Sequence, residues 1–322
     1  VTRLGLTLPF DGTDLPGARR RVEALPDLGY TDLWSLETAG FDAFTPLAVA
    51  AGWGTPLRLG TAVAGVFTRG PALLAMQAAA LADAAPGRFV LGLGSASPTI
   101  VSGWNDLPFE RPVARMRDTL RFLGRAFTGE RVDEAWPSFR VSGFRLERPP
   151  AEPPPIFLAA LGPRMLRLAA REAGGVLLGM TTPEDAARLL RDLDPPAGRP
   201  FEVVARVGVH PTDDLERARR RARAVLATYL NVPAYARLYE RLGHGERLAP
   251  LRRAFAAGDR AAALAAVPDE WVDGVFVHGS PEACVEKLRA FRAAGVTTLV
   301  LAVQPPGGDV DASLRILGRL AR

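Results

Sequence analysis

Short apolar runs of four to eight residues alternate, along almost the whole chain, with stretches of helical periodicity. Eight of these runs read as strands: residues 2–8 (TRLGLTL), 31–36, 57–63, 88–94, 155–160, 175–180, 202–209 and 297–303. Most are continuously apolar rather than strictly alternating, as strands covered on both faces should be. Between them, Val113, Met116, Leu120, Leu123 and Phe127 recur at helical steps, with Arg115, Arg117, Arg121 and Arg125 expected to turn outward. Ser280-Pro281-Glu282 starts a helix that Gly295 ends before the last strand. Eight strands with helical crossovers predict an α/β fold of the (β/α)8 TIM-barrel type. A doubly wound open sheet is the alternative, but no clean Gly-x-Gly-x-x-Gly follows the first strand.

Two stretches break the spacing. Residues 129–154 carry aromatic residues and prolines, from Trp136 and Phe139 to Pro153-Pro154-Pro155, and read as an excursion of hairpin type before the fifth strand. Residues 230–275 are helical in pattern and form an insertion between the seventh strand and its crossover helix. No linker separates halves, so the expectation is one domain over 1–322.

Composition narrows the functional classes. No run approaches 18 uninterrupted apolar residues, which excludes a helical membrane span. The start, Val1 to Leu6, reads as a strand rather than a secretory signal, so a cytoplasmic protein is expected. A single cysteine, Cys284, excludes an internal disulfide, and three scattered histidines argue against a His-built metal site. The net charge of +5 would suit an anionic partner. However, Lys287 is the only lysine, and the densest arginine run, Arg217 to Arg223, accompanies a stripe of Leu215, Ala218, Ala222, Val225, Leu226 and Tyr229. Those arginines read as the solvated face of an amphipathic helix, and no nucleic-acid reader motif accompanies them.

In such a barrel, chemistry sits in the loops after the strands. These loops hold Glu37, Thr38 and Asp42; Ala64 to Arg69; Ser95 to Ser97 with Trp104; Leu161 to Met165; and Thr181-Thr182-Pro183. At Gly162-Pro163 a helix begins on a glycine that permits close backbone approach, so its free N–H groups would hold a phosphate; an ordinary strand-to-helix turn reads the same way. Gly92-Leu93-Gly94-Ser95 suits either a ring cradle or tight packing. Glu37 would accept a hydrogen bond from a cofactor, serve as an acid, or pair with a loop arginine. His210 closes the seventh strand, and His278 is expected to serve local turn geometry. Trp104 would stack on a ring or cap the barrel.

The ordered set of motifs resembles the bacterial luciferase-like superfamily. Gly60-Thr61-Ala62-Val63 and Phe67-Thr68-Arg69-Gly70-Pro71 look like its third βα unit. Gly87 to Gly94 resembles its fourth strand, Pro155 to Pro163 its fifth strand and phosphate turn, and Gly274 to Glu282 its closing segment. The resemblance implies a barrel that binds coenzyme F420 or FMN and forms a homodimer. It is closer to the deazaflavin (F420)-dependent oxidoreductases, which move a hydride to or from a small organic substrate. An FMN-dependent monooxygenase is the alternative, and a barrel that binds cofactor without turnover is a third reading. By position, Glu37 would touch the ring system, Ala62 and Val63 would form a bulge behind it with a cis peptide, and Gly94, Ser95, Ala96 and Ser97 would line it. Ala160, Leu161, Gly162 and Pro163 would hold the phosphate. Gly70 and Thr38 stand where relatives often carry histidine, and some relatives carry an acidic residue near Ser97. The proton donor is therefore unassigned, with Glu37 the one catalytic candidate, and sugar-phosphate dehydrogenation is disfavoured.

Overall fold

The computed structural model describes residues 3–8, 10, 13–191, 193–304 and 309–321; Thr2, assigned above to the first strand, lies outside them. Eight parallel strands follow one another: β1 (Arg3–Leu8), β2 (Asp32–Ser35), β3 (Arg58–Thr61), β4 (Phe89–Gly94), β5 (Ile156–Ala159), β6 (Gly175–Gly179), β7 (Glu202–Pro211) and β8 (Thr298–Val303). The sheet order is β7-β8-β1-β2-β3-β4-β5-β6, with β6 pairing again with β7, so the sheet closes into the (β/α)8 TIM barrel. Each strand lies within a residue or two of its apolar run, because burial on both faces selects those runs for parallel pairing.

The chain divides into two compact units. One comprises Gly5–Leu177 and Asp194–Glu202. In it Gly5 pairs with Asp32, Leu33 with Leu59, Leu59 with Phe89, Leu91 with Ile156, and Phe157 with Gly175. The helices α1 (Leu15–Ala24), α2 (Thr45–Ala51), α3 (Pro71–Ala84), α4 (Pro112–Ala126) and α5 (Pro163–Glu172) lie between these strands in the chain. Trp34 is fully buried between Gly5 and Gly60; a Cβ at either glycine would run into its indole, which is why those strands carry glycine there. Below it, Arg58 on β3 donates to both oxygens of Glu202 at the start of β7, at 2.6 and 3.0 Å, and to the fully buried Asp32. Burial opposes the Arg58 charge, but the hydrogen bonds to Glu202 and the field of Asp32 outweigh it and raise its pKa.

The excursion at 129–154 contains an antiparallel hairpin, Val132–Trp136 with Phe139–Phe144. Phe122 of α4 meets the rings of Trp136, Phe139 and Phe144 at 5.7–6.3 Å, and these contacts hold the hairpin on the unit. Arg115 does not turn outward with its helix neighbours. Its guanidinium lies 4.8 Å from the centre of the Phe139 ring and donates to the Val66 carbonyl, because the hairpin supplies an aromatic surface that helical periodicity cannot register.

The second unit takes in Leu178–Leu193, Val203–Arg322 and the chain up to Leu4. β7 and β8 pair from Val204–Thr298 to Val209–Val303, and a three-residue strand, Val277–Gly279, pairs in parallel alongside the end of β7. Between β7 and the helix Pro281–Ala293 lie α6's successor α7 (Leu215–Leu230) and shorter helices as far as Val275; α6 itself spans Pro183–Arg191. The arginine run on α7 is not wholly solvated. Arg219 grips Asp273 through two bonds of 2.9 and 2.7 Å, and Arg223 pairs with Asp269. Leu215 is exposed, whereas Ala218, Ala222, Leu226, Ala227 and Leu230 are buried. Packing of a neighbouring acidic helix against α7 turned those arginines from a surface into a seam.

Candidate functional site

All the cofactor-site residues expected from sequence lie in the first unit, at the C-terminal ends of β2 to β5. Glu37 stands two residues beyond β2. Its Oε1 accepts from Thr68 Oγ1 at 3.2 Å and its Oε2 pairs with Arg69. Arg69 is itself fixed: its Nε donates to Gln77 at 3.0 Å and its guanidinium lies 5.1 Å from the centre of the Phe44 ring. Of the three readings of Glu37, the pair with a loop arginine is the one the structure contains. Asp42 accepts from the Phe44 and Thr45 N–H groups. Burial works against its charge, but those bonds and the Arg69 field hold its pKa below the ordinary carboxylate value.

The ladder between β3 and β4 runs to Gly60–Val90 and resumes at Ala64–Leu93. Thr61, Ala62 and Val63 therefore face only Leu91 and Gly92, which makes a bulge. The Thr61 hydroxyl bridges the gap, donating to the Gly92 carbonyl at 2.7 Å and accepting from its N–H at 2.8 Å. The Ala62–Val63 peptide bond is cis. Val63 packs where Gly94 has no side chain, since a Cβ at Gly94 would collide with the valine methyl and stand 3.7 Å from Ala159. Ala62, Val63 and Ala159 are each half-buried, so the strand ends present a surface of small apolar side chains.

After β4, Ser95, Ala96 and Ser97 remain half-buried, and Ala96 takes a left-handed φ of 57° that favours glycine. Ser97 Oγ accepts from the Ile100 N–H at 3.3 Å and opens the wide turn Thr99–Trp104. Trp104 is 55% exposed and meets no other aromatic ring among the described residues.

At the end of β5, Ala160 is buried and donates to Leu177 at 3.3 Å. Leu161 and Gly162 are half-buried. Gly162 is the N-cap of α5 with Pro163 at its first position, and no side chain caps that end. At the other end, Arg199 donates to the carbonyls of Ala170, Arg171 and Ala173 at 2.7, 3.1 and 2.6 Å. A cation thus satisfies the negative end of the helix while the positive end is left to whatever approaches it.

The histidines belong to the other unit. His210 is buried, with Nδ1 3.1 Å from the Gln304 carbonyl and its ring against Phe276. His278 does not shape a turn: it lies in the short strand Val277–Gly279, with Nε2 2.9 Å from Asp273. Burial, then nearby Lys287, depresses its pKa, and Asp273 only partly offsets them.

The sequence profile of the luciferase-like monooxygenase family matches residues 2–298. The chain belongs to this family. A putative coenzyme F420-dependent oxidoreductase of Mycobacterium tuberculosis is 31% identical, with 93% of this chain and 94% of that protein covered. The 5,10-methylenetetrahydromethanopterin reductase of Archaeoglobus fulgidus is 28% identical over 92% and 97%. Among solved structures, the coenzyme F420-dependent tetrahydromethanopterin reductase of Methanopyrus kandleri superposes with a TM-score of 0.80 at 21% identity, covering 99% of this chain and 97% of that one. This likeness carries the luciferase-like barrel fold across nearly the whole chain.

Proposed function

We propose that this luciferase-like protein is an oxidoreductase that transfers a hydride between coenzyme F420 and a small organic substrate. The observation that carries the reading is the bulge at Ala62–Val63 packed on Gly94, in the same unit as the uncapped N-terminus of α5. The residues fit the group. A flat tricyclic ring needs a surface of small apolar side chains, which Ala62, Val63 and Gly94 supply. A phosphate needs backbone N–H donors at a positive helix end, which Gly162, Arg164 and Met165 at the start of α5 supply, Pro163 having none. Ser95, Ala96 and Ser97 would line the ring, and Glu37, oriented by Arg69 and Thr68, would hydrogen-bond to it.

Bound coenzyme F420 supplies a ring carbon that gives or accepts a hydride. The chain's own work is positional. The bulge would support the ring, the start of α5 would hold the phosphate, and the apolar strand ends would keep water from the site. The relatives named for coenzyme F420 support this choice over FMN; the phosphate turn serves both cofactors alike. We further infer a homodimer working in the cytoplasm. Leu73 and Met76 on α3 are each 47% exposed, and Val49 on α2 and Phe41 before it are also exposed, a density of apolar surface that suits contact with a second copy.

Titrating purified apoprotein with each cofactor, followed by fluorescence quenching, tests the reading. Coenzyme F420 is expected to bind more tightly than FMN. Co-purification of FMN that the deazaflavin cannot displace would replace the reading with the FMN monooxygenase. Binding without turnover across a broad substrate panel would leave a non-catalytic carrier.

A further inference from the structure

β7 carries a cation that the cofactor reading does not use. The bond from Arg58 to Glu202 joins β3 to β7, strands on opposite sides of the ring order, so the Glu202 side of β7 is the inward one. Strand alternation puts Val204, Arg206, Gly208 and His210 on that same side. Arg206 therefore stands about 13 Å along the strand from Glu202, toward the C-terminal end. Beyond it, Phe276 fills the space over Gly208: a Cβ there would lie 2.6 Å from the phenyl ring. His210, next on the face, is occupied by the Gln304 carbonyl and the same ring.

Arg206 differs from Arg58, Arg69 and Arg199, whose guanidinium groups are paired; Arg292, in the helix Pro281–Ala293, shares its lack of a partner at Nε. Arg58 has Asp32 and Glu202, Arg69 has Glu37, and Arg199 has three carbonyls. The Arg206 Nε is buried with no hydrogen-bond partner, and no carboxylate pairs with the group among the described residues. Its electrostatic neighbours are the hydroxyls of Tyr229, in the last turn of α7, and Tyr235, in the helix Pro233–Tyr239. The two phenol rings meet edge-on at 5.0 Å. Burial lowers the Arg206 pKa and raises that of Tyr235, but an arginine keeps its charge and a phenol its proton at any physiological pH. All three residues retain part of their surface accessible.

A fixed cation flanked by neutral hydroxyl donors, with no acidic partner, is a receptor for an anion. We propose that Arg206, with the hydroxyls of Tyr229 and Tyr235, binds the carboxylate of an organic acid. One guanidinium balances one negative charge, which fits a carboxylate rather than a phosphate dianion. Its planar fork takes both oxygens, and the phenols donate to the remaining lone pairs. Assigning that acid to the role of substrate rests on the hydride-transfer reading; the binding itself does not.

Calorimetric titration of the purified protein, without cofactor, against isobutyrate, isobutyramide and inorganic phosphate tests the site. Isobutyrate is expected to bind about tenfold or more tightly than its neutral amide, and more tightly than phosphate. Arg206→Met is expected to weaken isobutyrate by about ten- to a hundredfold and to abolish the preference over the amide, with the thermal midpoint unchanged or raised. Should that variant fail to fold, Tyr235→Phe keeps the charge and is expected to weaken isobutyrate by about three- to tenfold. The proposal is overturned if acid and amide bind alike, if neither binds, if phosphate is preferred, or if the folded variants leave isobutyrate unaffected. A protein that takes up coenzyme F420 yet shows no carboxylate preference refutes this site alone, and the converse result refutes the cofactor reading alone.

Discussion

Glu37 holds Arg69 against Phe44, and this couples the ring side of the proposed site to the anchoring of the loop after β3. Glu37→Gln keeps the size and loses the charge. We predict a loss of about 1–3 kcal/mol in chemical denaturation, with the fold retained, because Arg69 is only 8% exposed and loses its nearest counter-charge. Turnover with coenzyme F420 should fall about tenfold in kcat/KM; unchanged turnover would remove Glu37 from the site. Gly162 gives a cleaner test. Its φ of −116° and ψ of 155° are extended values that a β-branched residue adopts freely. Gly162→Val should therefore leave the thermal midpoint nearly unchanged and weaken cofactor binding by about tenfold or more through crowding at the helix end. The sequence marked both residues by their place after a strand. It left the Glu37 partner open, because Arg69 lies 32 positions away and only the pairing of β2, β3 and β4 brings the two together.

At the scale of elements, α5 is held at its C-terminal end by Arg199, which lies beyond α6 in the chain. Arg199→Ala should cost about 1–2 kcal/mol and lower the thermal midpoint, since three carbonyls lose a charged donor. The seam between α7 and the helix Asp269–Val275 is expected to respond to pH. The Asp273 pKa is lowered: burial opposes its charge, and the Arg219 bond and His278 overcome it. The His278 pKa is lowered too. In both cases the folded chain holds fewer protons than the unfolded one at acid pH. The stabilisation is thus full above the ordinary histidine value of about 6.5 and is lost as the pH falls toward and through the folded values. Urea midpoints measured from pH 7 downward should fall, and His278→Gln should flatten the first part of that fall; a slope identical to wild type would exclude the histidine. The eight strands and the hairpin were legible as elements because their apolar patterns are local. The strand Val277–Gly279 was not, because three residues carry no periodicity and exist as a strand only beside β7.

For the whole molecule, the exposed apolar surface of α2 and α3 predicts self-association. The pair of changes Leu73→Asp and Met76→Asp should convert a dimer to a monomer in light scattering while leaving the circular dichroism spectrum intact. A wild-type monomer would end that inference. By itself, the sequence determined the barrel class, the order of strands and helices, and the loops in which chemistry sits. These follow from hydrophobic period and from turn and cap residues, which act over a few positions. It also carried the motifs from Gly60 to Val63 and from Pro155 to Pro163 that mark the family. Tertiary structure alone decided where the charges go. Arg115 turned onto the hairpin, Arg219 and Arg223 closed a seam, Arg58 crossed the ring to Glu202, and the Arg206 Nε was buried without a hydrogen-bond partner. An arginine in sequence looks the same whether solvated, paired or buried, because its partners stand tens of residues away, and only closure of the sheet determines which of them it meets.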